Sequence, residues 1–293
     1  MANEAYYSEE HFRQQRRILD NGDPRALICF CVDVSGSMSS YWIQEGGLRK
    51  TLGSGARDGE NTSFFNLSDI RPGYKYYKKI DKLNETLSML LRELKNDKEL
   101  RSKVAVSIVT YSEYARVKYD FLDSEYLDVD SCTCRVEKDR TSMGDGLRTS
   151  LAQIDEMQNR LQEAGNDSYT PILVFMTDGT PTDDPRKEFA LIRQRVEDEQ
   201  LFVFPLGIGE NADMARLRNM YPLGKIPQNF SNKYCMVDPE DYRNIFNEIK
   251  SHVREKQRVM VSEGNSKQSA PVLDDVQIDN TQSGEDFDLF SFV

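Results

Sequence analysis

The chain has 293 residues, room for one large domain or two small ones. Its 38 Lys and Arg face 49 Asp and Glu, a net charge of −11, which argues against a nucleic-acid or anionic-lipid surface because phosphate contacts need clustered cations. Hydrophobic residues make up 38% and charged residues 30%, the balance of a soluble globular chain. No apolar run nears the roughly 20 residues needed to span a bilayer, and MANEAYYSEEHFRQQRR lacks a leader core. A cytoplasmic protein without membrane partners is expected.

In chain order, residues 1–23 form a helical extension, with a helix over Ser8–Leu19 that Asn21-Gly-Asp-Pro24 breaks. Ala26–Asp33 (ALICFCVD) is a short uninterrupted apolar run, as in a strand buried on both faces of a parallel sheet. Gly46–Gly73 is polar, glycine-rich and without period, and reads as an inserted loop. Tyr74–Leu94 has helical spacing, with Ile80, Leu83, Leu87, Leu90, Leu91 and Leu94 on one stripe. Lys103–Tyr111 is a strand, and Ala115–Phe121 follows after a tight turn as an antiparallel neighbour. A helix over Met143–Ala164, a strand over Pro171–Thr177 ending in Asp178, a helix over Pro185–Glu199 and a strand over Leu201–Ile208 complete the alternation. A short helix at Asp213–Met220, a short strand at Tyr234–Val237 and a last helix at Pro239–Lys256 follow. Strands alternating with helices predict a three-layer α/β/α sandwich on a mainly parallel sheet over residues 24–257. Residues 258–293 carry a strong acidic excess among Ser, Gln, Asn and Gly and read as a disordered tail. The tail ends in DFDLFSFV, apolar enough to bind a partner or to dock back on the domain.

The five cysteines, Cys29, Cys31, Cys132, Cys134 and Cys235, are an odd number, which argues against a disulfide framework. Cys29 and Cys31 lie inside an apolar strand and Cys132 and Cys134 in a loop, so burial is favoured over zinc binding. The two histidines, His11 and His252, sit in charged helical stretches with no catalytic motif beside them.

The informative segment is Asp33-Val-Ser-Gly-Ser-Met38. A buried strand delivers Asp33 to the carboxyl edge of the sheet, where ligands of open α/β sheets bind. Ser35 and Ser37 add two hydroxyls on one turn, and hard oxygens suit Mg²⁺, Mn²⁺ or Ca²⁺. Asp178, ending the strand in FMTDGTPTD, would stand beside Asp33, and two carboxylates there repel unless a cation lies between them. Thr141 in DRTSMGDGL lies on a loop that can reach the same edge.

DxSxS, then a distant threonine, then a strand-borne TDGxPTD resembles the metal-ion-dependent adhesion site of von Willebrand factor type A domains over residues 24–257. The resemblance implies a six-stranded sheet with one antiparallel edge strand. It implies hydroxyl ligation of Mg²⁺ or Mn²⁺ by Ser35, Ser37 and Thr141, with Asp33 and Asp178 acting mostly through water. A partner's Glu or Asp would complete the shell, with Gly36, Met38, Ser142, Gly179 and Thr180 around it; Gly36 and Gly179 would permit close backbone approach. Within the family, DVSGSM, RTSMGDGL and VFMTDGTPTD are most similar to the TerY-like proteins of bacterial tellurium-resistance and stress operons, although Arg140 replaces a usual glycine. Kinase or phosphatase partners follow from that likeness.

A binding module, favoured as a monomer, is therefore expected. A metal-dependent phosphate-ester hydrolase is the alternative, but no general acid stands beyond the metal carboxylates. Ser35 takes the place of the second aspartate of a dehalogenase-type phosphatase, and no phosphate-binding loop occurs. In a third arrangement Asp286 or Asp288 of the tail would fill the open metal position.

Overall fold

The computed structural model describes residues 9–20, 22–45, 48–52, 75–137, 140–209, 212–228, 230, 235–236, 243 and 245–255. The chain divides into two units, Met1–Gln257 and Arg258–Val293. The expected acidic tail, and residues 46, 47 and 53–73 of the expected inserted loop, lie outside the described residues.

Helix α1 (Glu9–Asp20) precedes strand β1 (Ala26–Asp33). Strands β2 (Tyr41–Glu45), β3 (Leu48–Leu52) and β4 (Lys75–Lys78) then lead into helix α2 (Lys79–Asn96). Strands β5 (Val104–Tyr111) and β6 (Ala115–Asp123), helix α3 (Met143–Glu163), strand β7 (Ile172–Thr177), helix α4 (Arg186–Glu197) and strand β8 (Phe202–Ile208) follow. The chain continues through α5 (Met214–Leu217), β9 (Cys235–Met236) and α6, helical over residues 245–255.

The main sheet has six strands in the order β6-β5-β1-β7-β8-β9. Every neighbouring pair is parallel except β5 with β6, so β6 is the antiparallel edge strand. This is the α/β sandwich expected from the alternation of elements. Strand β1 is central; Phe30, for example, pairs with Ile108 on one side and Val174 on the other. All residues of β1, β5 and β7 are buried, which is why their sequences are continuous apolar runs. The chain leaves β1 for β5 and β6 on one side and returns to β7 on the other, so the strand order reverses beside β1. Such a reversal opens a crevice at the carboxyl ends of the strands.

Helix α3 presses its stripe of Leu147, Leu151, Ile154, Met157 and Leu161 inward, each worth about 1.5–3 kcal/mol when fully buried. A bidentate pair between Arg195 and Asp155, at 2.6 and 2.8 Å, ties α4 to α3. On α1, Gln15 accepts from Arg160 of α3 at 2.6 Å. The buried Arg25 donates to the Arg17 carbonyl at 3.1 Å and to the Ser102 carbonyl, pinning the end of α1 against the sheet. Lys250 of α6 pairs with Asp97 after α2.

Two local expectations are corrected. Tyr74–Leu94 is not helical throughout, because Lys75–Lys78 forms β4 and α2 begins at Lys79. The aromatic-rich KYYK segment pairs with β2, and strand pairing sets the start of the helical stripe that follows. Leu48–Leu52, expected as loop, pairs antiparallel with β2, giving a separate three-stranded sheet β3-β2-β4.

Cys29, Cys31, Cys132 and Cys134 are buried free thiols. Burial pushes Cys29 up to about 12 and Cys132 and Cys134 up to about 11, leaving almost no thiolate at neutral pH.

Gly146 on α3 faces the ring of Tyr111. A Cβ there would stand 2.7 Å from two ring atoms. Tyr111 is fully buried and stacks on Phe175 at 5.6 Å and 8°, so the ring has nowhere to retreat. Gly146→Ala gains about 1 kcal/mol of helix propensity but overpacks a fixed ring, at a cost of about 1–3 kcal/mol or more. A net destabilisation of about 1–2 kcal/mol is expected in a urea melt; a stabilised variant would show that the ring gives way.

Candidate metal centre

Asp33 ends β1 and is fully buried. One of its oxygens accepts the Ser35 backbone N–H at 2.9 Å and the other accepts the Thr177 hydroxyl at 2.8 Å. The first bond folds the chain sharply after the strand into a 3-10 turn over Gly36–Ser39. That turn stacks two hydroxyls, with Ser35 Oγ 3.0 Å from Ser37 Oγ. Ser37 Oγ donates to Asp178 Oδ1 at 2.7 Å. Asp33, Ser35, Ser37 and Asp178 therefore stand in one connected polar cluster, where β1 and β7 emerge side by side.

The loop bearing Thr141 reaches this edge by being stitched to the loop after β7. Thr141 N–H donates to Thr182 Oγ1 at 3.1 Å, and Thr182 N–H donates to the Thr141 carbonyl at 2.9 Å. Asp183 accepts from the Gly144 N–H at 2.8 Å and the Asp145 N–H at 3.3 Å, capping the start of α3. The last aspartate of TDGTPTD thus holds the two loops together. Thr141 itself is 5% exposed.

The electrostatics are those of crowded carboxylates. Burial, and then the neighbouring Asp178, push the Asp33 carboxyl from its ordinary 3.8 up to about 7. Asp178 has a second partner that sequence reasoning missed. Lys79, the first residue of α2, places Nζ 2.7 Å from Asp178 Oδ2, and the two side chains are 3% and 0% exposed. In the run KYYKKID this lysine reads as solvated, and nothing local marks a pairing 99 residues away. Thr177 was also missed; its place before Asp178 at the end of a strand was the available signal.

Among the residues expected to meet a partner, Gly36, Ser142 and Gly179 are partly exposed and Thr180 is exposed. Met38 is fully buried and offers a partner no surface. Within the chain, a Cβ on Gly179 would come no closer than 3.8 Å to Ser37 Oγ. Arg140, the departure from the expected glycine, is exposed on the rim.

The two buried carboxylates and two serine hydroxyls of this cluster are hard oxygen donors, of the kind that suits a hard divalent cation. Among the described residues no group of three or more His, Cys, Asp or Glu side chains is placed to hold a metal.

A doubly wound, mainly parallel sheet with a polar cluster at its switch point is the architecture of the α/β domains that bind ligands at the carboxyl edge. The chain belongs to the von Willebrand factor type A domain family, whose model matches residues 76–249, more than half of its length. A search of curated proteins found no match. Solved structures similar to this chain include proximal thread matrix protein 1 of the mussel byssus, at 13% identity over 78% of this chain and 48% of that one, TM-score 0.45. Manganese-loaded TRAP protein of Plasmodium vivax is 15% identical over 79% and 74%, TM-score 0.45. The PilB minor pilin of Streptococcus sanguinis is 14% identical over 79% and 62%, TM-score 0.47. The chain spans about half the length of the mussel protein. Domains of this family generally mediate metal-dependent protein interactions. No helix among the described residues is long and apolar enough to cross a membrane.

Proposed function

We propose that this protein is a metal-dependent protein-binding adaptor that captures an acidic side chain of a partner through a Mg²⁺ or Mn²⁺ ion. The observation that carries this is the bonded cluster of Asp33, Ser35, Ser37 and Asp178 at the switch point. Ser35, Ser37 and Thr141 would offer hydroxyl oxygens to the ion, with Asp33 and Asp178 balancing its charge. When bound, the ion supplies an electrophile for a carboxylate. Gly36, Ser142, Gly179 and Thr180 form the partly exposed rim against which the partner would be read.

The role is one of binding and not of turnover. His252 lies against Phe202, at the start of β8, the sheet end opposite the cluster, so it supplies no acid or base to the site. Buried reduced thiols fit an intracellular setting. The motif likeness to TerY-like proteins points to a bacterial stress or phospho-signalling assembly, with a kinase or phosphatase as the partner.

The test is affinity capture from native lysate with the wild-type protein in Mg²⁺, the same protein in EDTA, and Asp33→Ala in Mg²⁺. A partner recovered only by the first is expected. Equal recovery in all three would refute the proposal.

A further inference from the structure

The metal edge contains a cation of its own. Lys79 Nζ sits 2.7 Å from Asp178 Oδ2, with both side chains almost wholly removed from solvent. The ammonium is not held there by chance of rotamer. Lys79 N–H donates to the Ser40 carbonyl at 3.1 Å, fixing the first residue of α2 to the end of the turn that carries Ser35 and Ser37. The preceding residue, Lys78, pairs with Tyr41 in the small sheet. The backbone on both sides of Lys79 is therefore anchored, and the side chain reaches inward to a carboxylate expected to balance the metal.

We propose that Lys79 is a resident counter-ion that competes with the divalent ion for Asp178, so that it lowers the site's affinity for metal. This rests on the metal-edge function proposed above and adds a regulatory residue to it. Charge accounting carries the argument. With Asp33 and Asp178 ionised, the cluster with Lys79 has net charge −1, and a divalent ion takes it to +1. Without the ammonium the same steps run from −2 to 0. The lysine thus opposes entry of the ion, and it leaves the loaded site with a positive charge that an incoming carboxylate cancels. Inside a protein a unit charge within a few ångströms of a dication shifts binding by more than a factor of ten. Metal loading and capture of an acidic partner are coupled as a result, each favouring the other.

The experiment is calorimetric titration of the full-length chain with Mn²⁺ alone, comparing wild type with Lys79→Gln, which keeps a hydrogen-bond donor for Asp178 and removes the charge. Lys79→Met is a second charge-free variant. Thermal melts in EDTA and in Mn²⁺ show that each is folded and give a readout independent of the heats. Binding of Mn²⁺ at least tenfold tighter in Lys79→Gln is expected, with a larger rise in its melting temperature on adding Mn²⁺ than wild type shows. Equal or weaker binding by both variants would overturn the proposal. Asp33→Ala separates the two levels of failure. If it abolishes Mn²⁺ binding while Lys79→Gln matches wild type, the counter-ion role falls and the metal edge stands. If Mn²⁺ binds Asp33→Ala as it binds wild type, or if neither wild type nor the Lys79 variants bind it, the metal edge falls and Lys79 with it.

Discussion

Replacing Asp33 by alanine is expected to lower Mn²⁺ affinity by about 100-fold while changing the stability of the metal-free protein by less than about 2 kcal/mol. The affinity loss follows from removing one of the two carboxylates that balance the ion and orient its ligands. The small stability change is a cancellation. Alanine leaves the Ser35 N–H and the Thr177 hydroxyl without the acceptor each has now, and a buried donor deprived of its partner costs about 1–3 kcal/mol. Against this, the native carboxyl is held in a place that resists its charge, to the extent that it sits at about 7 instead of 3.8. At about 1.4 kcal/mol per pH unit, relief of that burden returns on the order of 4 kcal/mol at neutral pH. Asp33→Asn keeps an acceptor for Ser35 and separates charge from hydrogen bonding. Calorimetry with Mn²⁺ and urea melts in EDTA measure the two effects. A collapsed fold in both variants would show that Asp33 is structural first.

Removal of Asp178 should act on the opposite axis. In EDTA, Asp178→Ala is expected to cost about 3–5 kcal/mol, because it strands a buried ammonium. The double replacement Lys79→Met with Asp178→Ala should recover most of that loss, since an apolar pair in place of a buried ion pair is often close to neutral. The four proteins of this cycle, melted in urea, give the coupling directly. Additive losses would mean that the two groups do not interact in solution and would remove the basis for a resident counter-ion.

The contrast between these two aspartates shows how far the sequence carries. ALICFCVD and PILVFMT announce buried strands ending in carboxylates, and the structure sets them side by side as neighbours β1 and β7. DVSGSM contains its own fold, because the Asp33–Ser35 bond spans only two residues. The Thr141 loop was legible as a candidate, but not the Thr182 and Asp183 contacts that bring it to the edge. Those depend on pairings 39 and 41 residues apart, for which a single sequence offers no local mark. Lys79 shows the same limit more sharply: a lysine's ordinary place is in water, and only a tertiary neighbour reverses that. The small sheet escaped notice because β3 and β4 are short and lie on either side of an unpatterned stretch. Met38 was misplaced for a related reason, since a residue in a glycine–serine turn reads as surface until the packing beneath it is seen.

The matched family segment begins at residue 76, whereas β1 ends at residue 33. The central strand therefore belongs to a different stretch of chain from the rest of the sheet. A fragment trimmed to 76–249 would have to bridge a missing strand between β5 and β7, a gap of about 10 Å. Left open, it would present two naked, adhesive edges. Strand β1 and the segment over 76–249 are therefore expected to fold only together, as one cooperative unit.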